Sequence, residues 1–306
     1  MLNCKVSIII VNYKTSQLVV DSIRSVKKST EGISYELIVV DNNSQDEIES
    51  ILKNNFGDEI KCILLRDNLG FGLANNEGFK IAEGEYLFCL NPDTVLLNNA
   101  IKILADYLDT HPSVGICGGN LYDSDMQPAH SFKRLLPGIR SELCEISGGG
   151  FAKLLYGDSY EFNHTEHPMS VGYICGADMI IRRKVAEHVG GYSREFFMYY
   201  EDTDLCYKVK KAGFGVMSVP QAKTLHLEGK SFTEEGTVKQ HRFNLSEKSK
   251  LVYMQKNMPS WKVSFCRRIG FLGLSFLRWY FSRKGNPIWK MYEARIDAIK
   301  KVCVPN

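Results

Sequence analysis

The sequence of 306 residues predicts an α/β fold in which a mostly parallel sheet lies between helices and is followed by a helical C-terminal extension. Two features of the first 120 residues lead to this prediction. Short runs of β-branched and aromatic residues alternate with segments of helical periodicity, and the runs are apolar throughout. Continuously apolar strands are typical of parallel sheets that are covered on both faces.

The predicted elements of this first part follow one another in regular order. Each apolar run is bounded by polar or glycine-containing segments, and Thr15 is a suitable N-cap for the first helix. Strands are predicted at residues 6–11, 36–40, 60–65, 86–90 and 114–118. Helices are predicted between and after them at residues 16–26, 46–55, 71–82 and 98–108.

The second part of the sequence is less regular. Residues 120–170 lack a clear period and include Gly148-Gly149-Gly150. A loop of this length is typical of a lid, a substrate-binding excursion or a partly disordered segment. From residue 237 the pattern is helical, with breaks near Pro259 and at Gly285-Asn286-Pro287. Between these regions, strands are predicted at 171–182, 214–219 and 223–225, and a helix at 201–212.

The composition indicates a folded protein in a reducing compartment. None of the nine cysteines forms a Cys-x-x-Cys pair, and Cys89, Cys117 and Cys175 lie in apolar runs, which argues against a disulfide framework or a zinc ribbon. No signal peptide is visible, and arginines interrupt the longest apolar candidate, residues 263–281. We therefore expect a cytoplasmic protein without a transmembrane helix.

Positive charge is concentrated at the C-terminal end. Residues 250–306 contain twelve lysines and arginines and two acidic residues, whereas the whole chain has a net charge of +3. A uniformly basic nucleic-acid-binding protein would not show this asymmetry, so we expect no nucleic-acid partner. In residues 261–290 aromatic residues accompany the basic ones, as in helices that lie on an anionic membrane surface. The alternatives are packing on the rest of the chain or on a second subunit of a homodimer.

Asn91-Pro92-Asp93 follows a predicted buried strand. A carboxylate at that point can hold a divalent cation against a diphosphate, because Mg²⁺ and Mn²⁺ prefer oxygen ligands and often take one or two carboxylates plus phosphate oxygens. The simpler interpretation is a turn, for which Asn-Pro-Asp is suitable chemistry.

Two further segments carry residues suited to catalysis or metal binding. Glu201-Asp202-Thr203-Asp204 opens a predicted helix, where acids complement the helix dipole, but three carboxylates exceed what capping needs and could include a general base. His226 follows a strand-like run and could ligate a metal, although a lone histidine is more often structural. Asp41, after the second strand, could bind a ribose or a base, or cap the following helix.

Several enzyme classes lack support in the sequence. Gly70-Phe71-Gly72 is not followed by the third glycine of a dinucleotide-binding loop or by the Lys-Ser/Thr pair of a P-loop. Neither a Gly-x-Ser-x-Gly elbow nor a His-Glu-x-x-His motif occurs.

Taken together, these segments resemble the family-2 glycosyltransferases with the GT-A fold, especially their bacterial rhamnosyltransferase-like branch. The resemblance covers about residues 5–232, in the order found in that family, and includes the Asn-Pro-Asp variant of its Asp-x-Asp motif. The matching segments lie at 6–13, 39–44, 68–76, 90–93, 176–177, 181–183, 190–192, 196–206, 212–214 and 226–231.

The resemblance implies a Rossmann-like GT-A catalytic domain over residues 1–232, with a nucleotide-binding half at 1–119 and an acceptor-binding half at 120–232. Residues 233–306 form the basic, aromatic helical extension. The implied metal ligands, for Mg²⁺ or Mn²⁺, are Asp93 and His226. Asp202 is implied as the general base with Glu201 beside it, and Gly176, Ala177 and Glu201 as acceptor-binding residues. The implied nucleotide-binding residues are Asn12, Tyr13, Asp41, Asn43, Asn68, Asn75 and Asn91.

We therefore predict an inverting glycosyltransferase of cell-surface polysaccharide synthesis. Its partners would be a nucleoside-diphosphate sugar, either dTDP-rhamnose or a UDP-sugar, and a glycan or lipid-linked acceptor. Two alternatives remain open at this stage. One is a nucleotidyltransferase on a related sheet, which would need a basic, glycine-rich loop after the first strand. The other is an inactive sugar-nucleotide-binding or scaffold protein.

Overall fold

The structure is a computed structural model that describes residues 4–227 and 237–303. Strands and helices alternate through the first half, as the sequence predicts. The strands are β1 (Val6–Asn12), β2 (Tyr35–Asp41), β3 (Ile60–Leu64), β4 (Tyr86–Leu90), β5 (Thr94–Leu96), β6 (Val114–Tyr122), β7 (Phe132–Lys133), β8 (Met169–Ser170), β9 (Tyr173–Ile174), β10 (Asp178–Arg182) and β11 (Gly215–His226). The helices are α1 (Ser16–Ser29), α2 (Ile48–Phe56), α3 (Phe71–Ile81), α4 (Ala100–Thr110), α5 (Ile139–Ile146), α6 (Gly150–Tyr156), α7 (Arg183–Val189), α8 (Glu201–Lys211), α9 (Thr237–Asn257), α10 (Ser260–Arg283) and α11 (Trp289–Cys303).

A mixed sheet of nine strands forms the centre of the described α/β part. Its main path runs β3-β2-β1-β4-β10-β6-β11-β5, and β8 pairs with β11. The pairs of β1 with β2, β1 with β4, β2 with β3 and β6 with β11 are parallel. The antiparallel strand β10 lies between β4 and β6 and pairs with both. The predicted α/β class with a mostly parallel sheet is therefore confirmed.

Strand β1 shows why the sheet needs helices on both faces. All seven of its residues are buried. Ile8 and Ile10 belong to one apolar layer with Leu104 of α4, and Ile9 belongs to the opposite layer with Leu205 of α8. Since burying one such side chain contributes about 1.5–3 kcal/mol, a strand with an apolar residue at nearly every position is stable only between two layers of helices.

The structure corrects several predicted elements. The two strands predicted at 214–219 and 223–225 are one strand, β11, whose pairing with β6 is interrupted between Ser218 and Lys223. Pro220 lies in that interruption, where the ladder does not require an N–H donor. The strand predicted at 171–182 is instead divided into β9 and β10, and the segment 120–170 contains the helices α5 and α6.

The described residues fall into two compact units. The α/β unit comprises residues 4–134, 161–197 and 201–227, and the helical unit comprises 135–160, 198–200 and 237–303. The predicted domain boundary at residue 232 lies outside the described residues. The segment 135–160 packs with the C-terminal helices, in the same unit as residues 237–303. Its polar helix α5 supplies Glu142 and Glu145 to ion pairs with Lys250 of α9, a pairing that sequence periodicity cannot predict.

The helical unit has its own apolar core and a buried group of charges. Leu274 and Leu277 of α10 pack against Tyr292 and Ile296 of α11. No helix among the described residues has the length and apolar character needed to cross a bilayer.

Candidate active site

The carboxyl ends of β1 and β2 are joined by a buried polar network around Asn12. Its side-chain amide donates to Asp41 Oδ1 at 2.9 Å, to Ser44 Oγ at 3.0 Å and to Asp46 Oδ1 at 3.0 Å. Its Oδ1 accepts from the backbone N–H of Thr15 at 3.1 Å. Thr15 is at the predicted N-cap position but makes no side-chain capping bond of its own. The network therefore fixes the loop after β2 in a single arrangement.

A second polar network leads from β2 to the start of α3. Asn42 donates to Asn68 Oδ1 at 2.8 Å and accepts from the backbone N–H of Leu69 at 2.8 Å. Gly70 then enters α3 with φ of +83°, and a Cβ there would lie 2.0 Å from the carbonyl oxygen of Phe197. The N–H of Phe71 donates to that carbonyl at 3.1 Å. Only glycine permits this close approach of the α3 entrance to the chain before α8.

Asp93 and His226 meet at the carboxyl end of β4. The antiparallel pairing of β11 with β5 places His226 opposite Thr94. The Oδ1 of Asp93 lies 3.4 Å from Nε2 of His226, and the two residues are 6% and 7% exposed. The amide nitrogen of Asn91 lies 3.4 Å from the same imidazole nitrogen. The structure thus brings together the residues predicted for metal binding.

This donor set fits a hard divalent cation that also binds a phosphate. A carboxylate oxygen and an imidazole nitrogen are both suitable ligands for Mn²⁺, and Mg²⁺ commonly takes one or two carboxylates with substrate phosphate oxygens. Within residues 4–227 and 237–303 no group of three or more His, Cys, Asp or Glu side chains is arranged to enclose a metal.

Two acidic residues open α8 in different environments. Asp202 accepts from the backbone N–H of Thr203 at 2.6 Å through Oδ1 and from the backbone N–H of Gly176 at 3.2 Å through Oδ2. Glu201 is 6% exposed, and its Oε2 has no hydrogen-bond partner among the described residues. The two residues before α8, Tyr199 and Tyr200, have φ of 66° and 65°. Such strained backbone is often found at functional sites.

These environments separate the protonation of the two carboxyls. Burial raises the pKa of Glu201 to about 8, and the charge of Asp202 adds to the rise. Burial also raises the pKa of Asp202, but hydrogen bonds from Thr203 and Gly176 oppose that rise. Asp202 is therefore the carboxyl of the pair that ionises more readily, because its oxygens accept the hydrogen bonds.

A short backbone path links the end of β4 to α8. The N–H of Asn91 donates to the carbonyl of Ala177 at 3.0 Å, and the adjacent Gly176 donates to Asp202. Gly176 itself lies between two side chains, since a Cβ there would be 3.1 Å from Phe71 and 3.7 Å from Asp202. The pairing of β10 with β4 thus brings residues that are more than 100 positions apart in the sequence to one edge of the sheet.

The sequence profile of glycosyl transferase family 2 matches residues 7–190, which is more than half of the chain and contains most of this sheet edge. The chain belongs to glycosyl transferase family 2. The family assignment made from the motifs is therefore confirmed.

Individual relatives agree with this assignment. This family-2 chain is 25% identical over 202 residues to the N-acetylglucosaminyl-diphospho-decaprenol L-rhamnosyltransferase of Mycobacterium tuberculosis, a match that covers 62% of this chain and 66% of that protein. It is 23% identical over 231 residues to rhamnosyltransferase WbbL of Escherichia coli, covering 62% of this chain and 82% of that protein. The solved mannosyltransferase from Pyrobaculum calidifontis, in complex with GDP-Man and Mn²⁺, superposes with a TM-score of 0.62 at 13% identity, covering 99% of this chain and 86% of that one. The predicted GT-A fold and rhamnosyltransferase-like branch are confirmed.

The predicted nucleotide-binding residues of this family-2 chain lie in different settings. Asn12, Asp41 and Asn68 belong to the two polar networks, and Asn91 contacts His226. Tyr13 is 37% exposed beside the first network, and Asn43 has φ of 61° in the loop after β2. Asn75 is 1% exposed and donates to the carbonyl of Phe71 within α3 at 2.9 Å. Their roles in binding stay predictions.

One buried acid at this edge escapes prediction from the sequence. Asp178 begins β10, is 0% exposed and accepts from the backbone N–H of Gly119 at 3.2 Å. A Cβ at Gly119 would lie 2.9 Å from the Asp178 carboxylate, so the glycine makes room for it. Burial raises the pKa of Asp178 to about 7. The signal in the sequence is an acid beside an apolar Met-Ile-Ile run, which seldom occurs without a partner.

Proposed function

We propose that this chain transfers a sugar from a nucleoside-diphosphate donor to a hydroxyl group of an acceptor, with inversion at the anomeric carbon. One observation carries the proposal: in a member of this family, the hydrogen bonds from Asn91 through Ala177 and Gly176 to Asp202 bring the acid pair to the sheet edge that holds Asp93. Parallel sheets of this type bind nucleotides at that edge.

Each group of residues at this sheet edge has a role in the proposed glycosyl transfer. The network around Asn12 and Asp41 offers amide and carboxylate groups to the base and the ribose. Asp93 and His226 would hold Mg²⁺ or Mn²⁺, which supplies Lewis-acid stabilisation of the charge on the departing diphosphate. The Pyrobaculum mannosyltransferase, which was solved in complex with GDP-Man and Mn²⁺, supports this choice of metal type.

Asp202 acts as the general base in the proposed reaction. The acceptor oxygen attacks the anomeric carbon as its proton passes to Asp202, and the bond from that carbon to the diphosphate breaks with its electron pair on the diphosphate. Glu201, protonated at neutral pH, leaves Asp202 as the charged member of the pair and can donate a hydrogen bond to sugar or acceptor. The backbone of Gly176 and Ala177 lines the acceptor side.

The relatives favour a rhamnosyl donor and a lipid-linked acceptor. Two of them are named as rhamnosyltransferases, and the name of one specifies a diphospho-decaprenol acceptor. We therefore propose dTDP-rhamnose as the first donor to test, followed by UDP-sugars, in the synthesis of a cell-surface polysaccharide.

A donor screen with product analysis tests the proposal. The full chain is incubated with Mn²⁺ or Mg²⁺, each nucleoside-diphosphate sugar and a panel of diphospholipid-linked and free glycans. The expected products are nucleoside diphosphate and an extended acceptor, at a rate unchanged in the surface control Asp106→Asn. Release of pyrophosphate in a parallel incubation with nucleoside triphosphates and sugar 1-phosphates would identify a nucleotidyltransferase instead. Donor binding without turnover on any acceptor would identify an inactive binding protein.

A further inference from the structure

Helix α10 has two apolar faces, and the described helices cover only one. Its buried positions recur every three or four residues, as expected for a helix that packs against a core. This inner face contacts α5 and α11. The buried residues are Val263, Cys266, Gly270, Leu274 and Leu277.

The opposite face of α10 carries a continuous row of large exposed residues, here called the outer stripe. Its members follow one another at intervals of four, three, four, four, three and four residues, which keeps them on one side of the helix. Trp261 is 62% exposed, Leu272 67% and Phe276 59%. Exposed apolar rows of this size mark interaction surfaces. The outer stripe consists of Trp261, Phe265, Arg268, Leu272, Phe276, Trp279 and Arg283.

The charge of α10 has one sign only. Its 24 residues include five lysines or arginines and no acidic residue. Two of these cations lie over aromatic rings, Arg283 at 5.0 Å from the centroid of Trp279 and Lys262 at 5.4 Å from that of Trp261. Arg278 pairs with Glu293, whereas the structure gives Arg268 and Arg283 no carboxylate partner in the described part of the chain. The stripe therefore offers cations as well as apolar surface.

This combination selects among the surfaces that could cover the stripe. A second copy of α10 packed through the same residues would bury Arg268 and Arg283 of both chains in the interface, with no acid on the helix to neutralise them. An anionic lipid surface instead accepts aromatic and leucine side chains at its acyl boundary and cations at its headgroups. The helix is about 36 Å long, enough for the whole stripe to lie along such a surface.

We propose that the outer stripe of α10 lies in the surface of a bilayer that contains anionic phospholipid. The proposal concerns attachment only and does not depend on which sugar, if any, the chain transfers. It specifies which side of the helix enters the lipid and which residues supply the binding energy.

Vesicle flotation of the full chain tests this proposal. Vesicles of phosphatidylcholine alone are compared with vesicles that also contain phosphatidylglycerol. We expect binding to the anionic vesicles only, weakened by salt, with a blue shift of tryptophan fluorescence because Trp261 and Trp279 leave water. The triple variant F265S/L272S/F276S and the double variant R268Q/R283Q should each lower the affinity by about tenfold or more.

The matched control removes exposed leucines from other helices and strands. Leu154 and Leu64 are 79% and 52% exposed, so L154S/L64S changes apolar surface without touching the stripe. Unchanged melting temperatures would show that all variants fold. Equal vesicle binding by the stripe variants and the control would overturn the proposal, as would failure of the wild-type chain to float. A stripe variant that converts a dimer into a monomer without altering vesicle binding would assign the stripe to a second copy instead.

Discussion

The two units of the molecule bury charged and polar groups with different consequences. In the α/β unit, buried acids lie at the edge of the sheet, where Glu201 keeps a carboxyl oxygen without a hydrogen-bond partner among the described residues. In the helical unit, the buried charges neutralise one another, since Lys250, which is 9% exposed, lies 2.5 Å from Glu142 and 3.5 Å from Glu145. Unsatisfied acids cost stability and provide chemistry, whereas paired charges hold helices in register.

The two units also differ in how they cover their apolar surface. The α/β unit covers both faces of its sheet with helices, while the helical unit leaves the row from Trp261 to Arg283 in solvent. The comparison teaches that each unit places its energetically unfavourable groups at the place where we propose that it binds something else: reactants at the sheet edge, and a membrane surface along α10.

The largest effect is expected from Asp202→Asn. If Asp202 takes the acceptor proton, this nearly isosteric change should lower turnover by about 10²- to 10⁴-fold. Nucleotide affinity and the melting temperature should stay close to wild type, because the amide can still accept from Gly176 or Thr203. Steady-state rates and calorimetric titration measure the two quantities. Wild-type turnover in this variant would remove Asp202 from the role of base.

Removing a buried charge from the helical unit should lower the stability of the protein and leave the proposed reaction unaffected. Lys250→Met leaves Glu142 buried without its cation, while Glu145 keeps its ion pair with Arg295, so the free energy of unfolding should fall by about 3–5 kcal/mol. The control is Lys300→Met, which removes an exposed lysine that pairs with Asp297. Urea unfolding gives both values. If both variants lose the same small amount of unfolding free energy, the buried ion pairs do not stabilise the helical unit.

Gly70 tests whether the α3 entrance and the chain before α8 are locked together. Gly70→Ala introduces a methyl group beside the Phe197 carbonyl as well as strain at positive φ, and should cost about 1–3 kcal/mol. Gly213→Ala is the matched control, since Gly213 has φ of +91° but no atom within 4 Å of a Cβ. A larger loss of unfolding free energy at Gly70 than at Gly213 is expected. Equal losses would show that the contact with Phe197 contributes nothing.

The smallest effect, expressed per pH unit, is a pH dependence of stability in the α/β unit. Folding raises the pKa of Glu201 from its ordinary 4.5 to about 8, so the native state holds the proton more tightly than the unfolded chain. Stability from this group is present at low pH and is lost as pH rises through that window, by up to about 1.4 kcal/mol per pH unit.

Glu201→Gln should flatten this slope between about pH 6 and pH 8 and raise stability at the alkaline end, as measured by urea unfolding at each pH. Asp178, whose pKa is raised to about 7, contributes a slope of the same sign that the variant retains. An unchanged slope in the glutamine variant would contradict the buried, protonated state of Glu201.

The sequence predicts the parts of this molecule that depend on local pattern. Strand β1 and Asp41 were predictable because an apolar run and the polar residue that ends it are adjacent in the chain. The antiparallel insertion of β10 could not be predicted, because the pairing of β10 with β4 and β6 joins residues that are far apart in the chain. For the same reason periodicity could not show that residues 135–160 join the C-terminal helices, because Lys250, the partner of Glu142 and Glu145, lies far along the chain on α9.

The central claim is that the sheet edge at Asp93 binds a nucleoside diphosphate together with a divalent cation. Calorimetric titration of dTDP and UDP into the full chain, with and without Mn²⁺, tests it most directly. We expect Mn²⁺ to strengthen binding in the wild-type chain. Asp93→Ala should lower the Mn²⁺-dependent part by at least about tenfold, since even changes to groups that support metal ligands cost that much, while the control Asp106→Asn leaves it intact. Nucleotide affinity that is the same with and without Mn²⁺, or the same in Asp93→Ala as in wild type, would contradict the account.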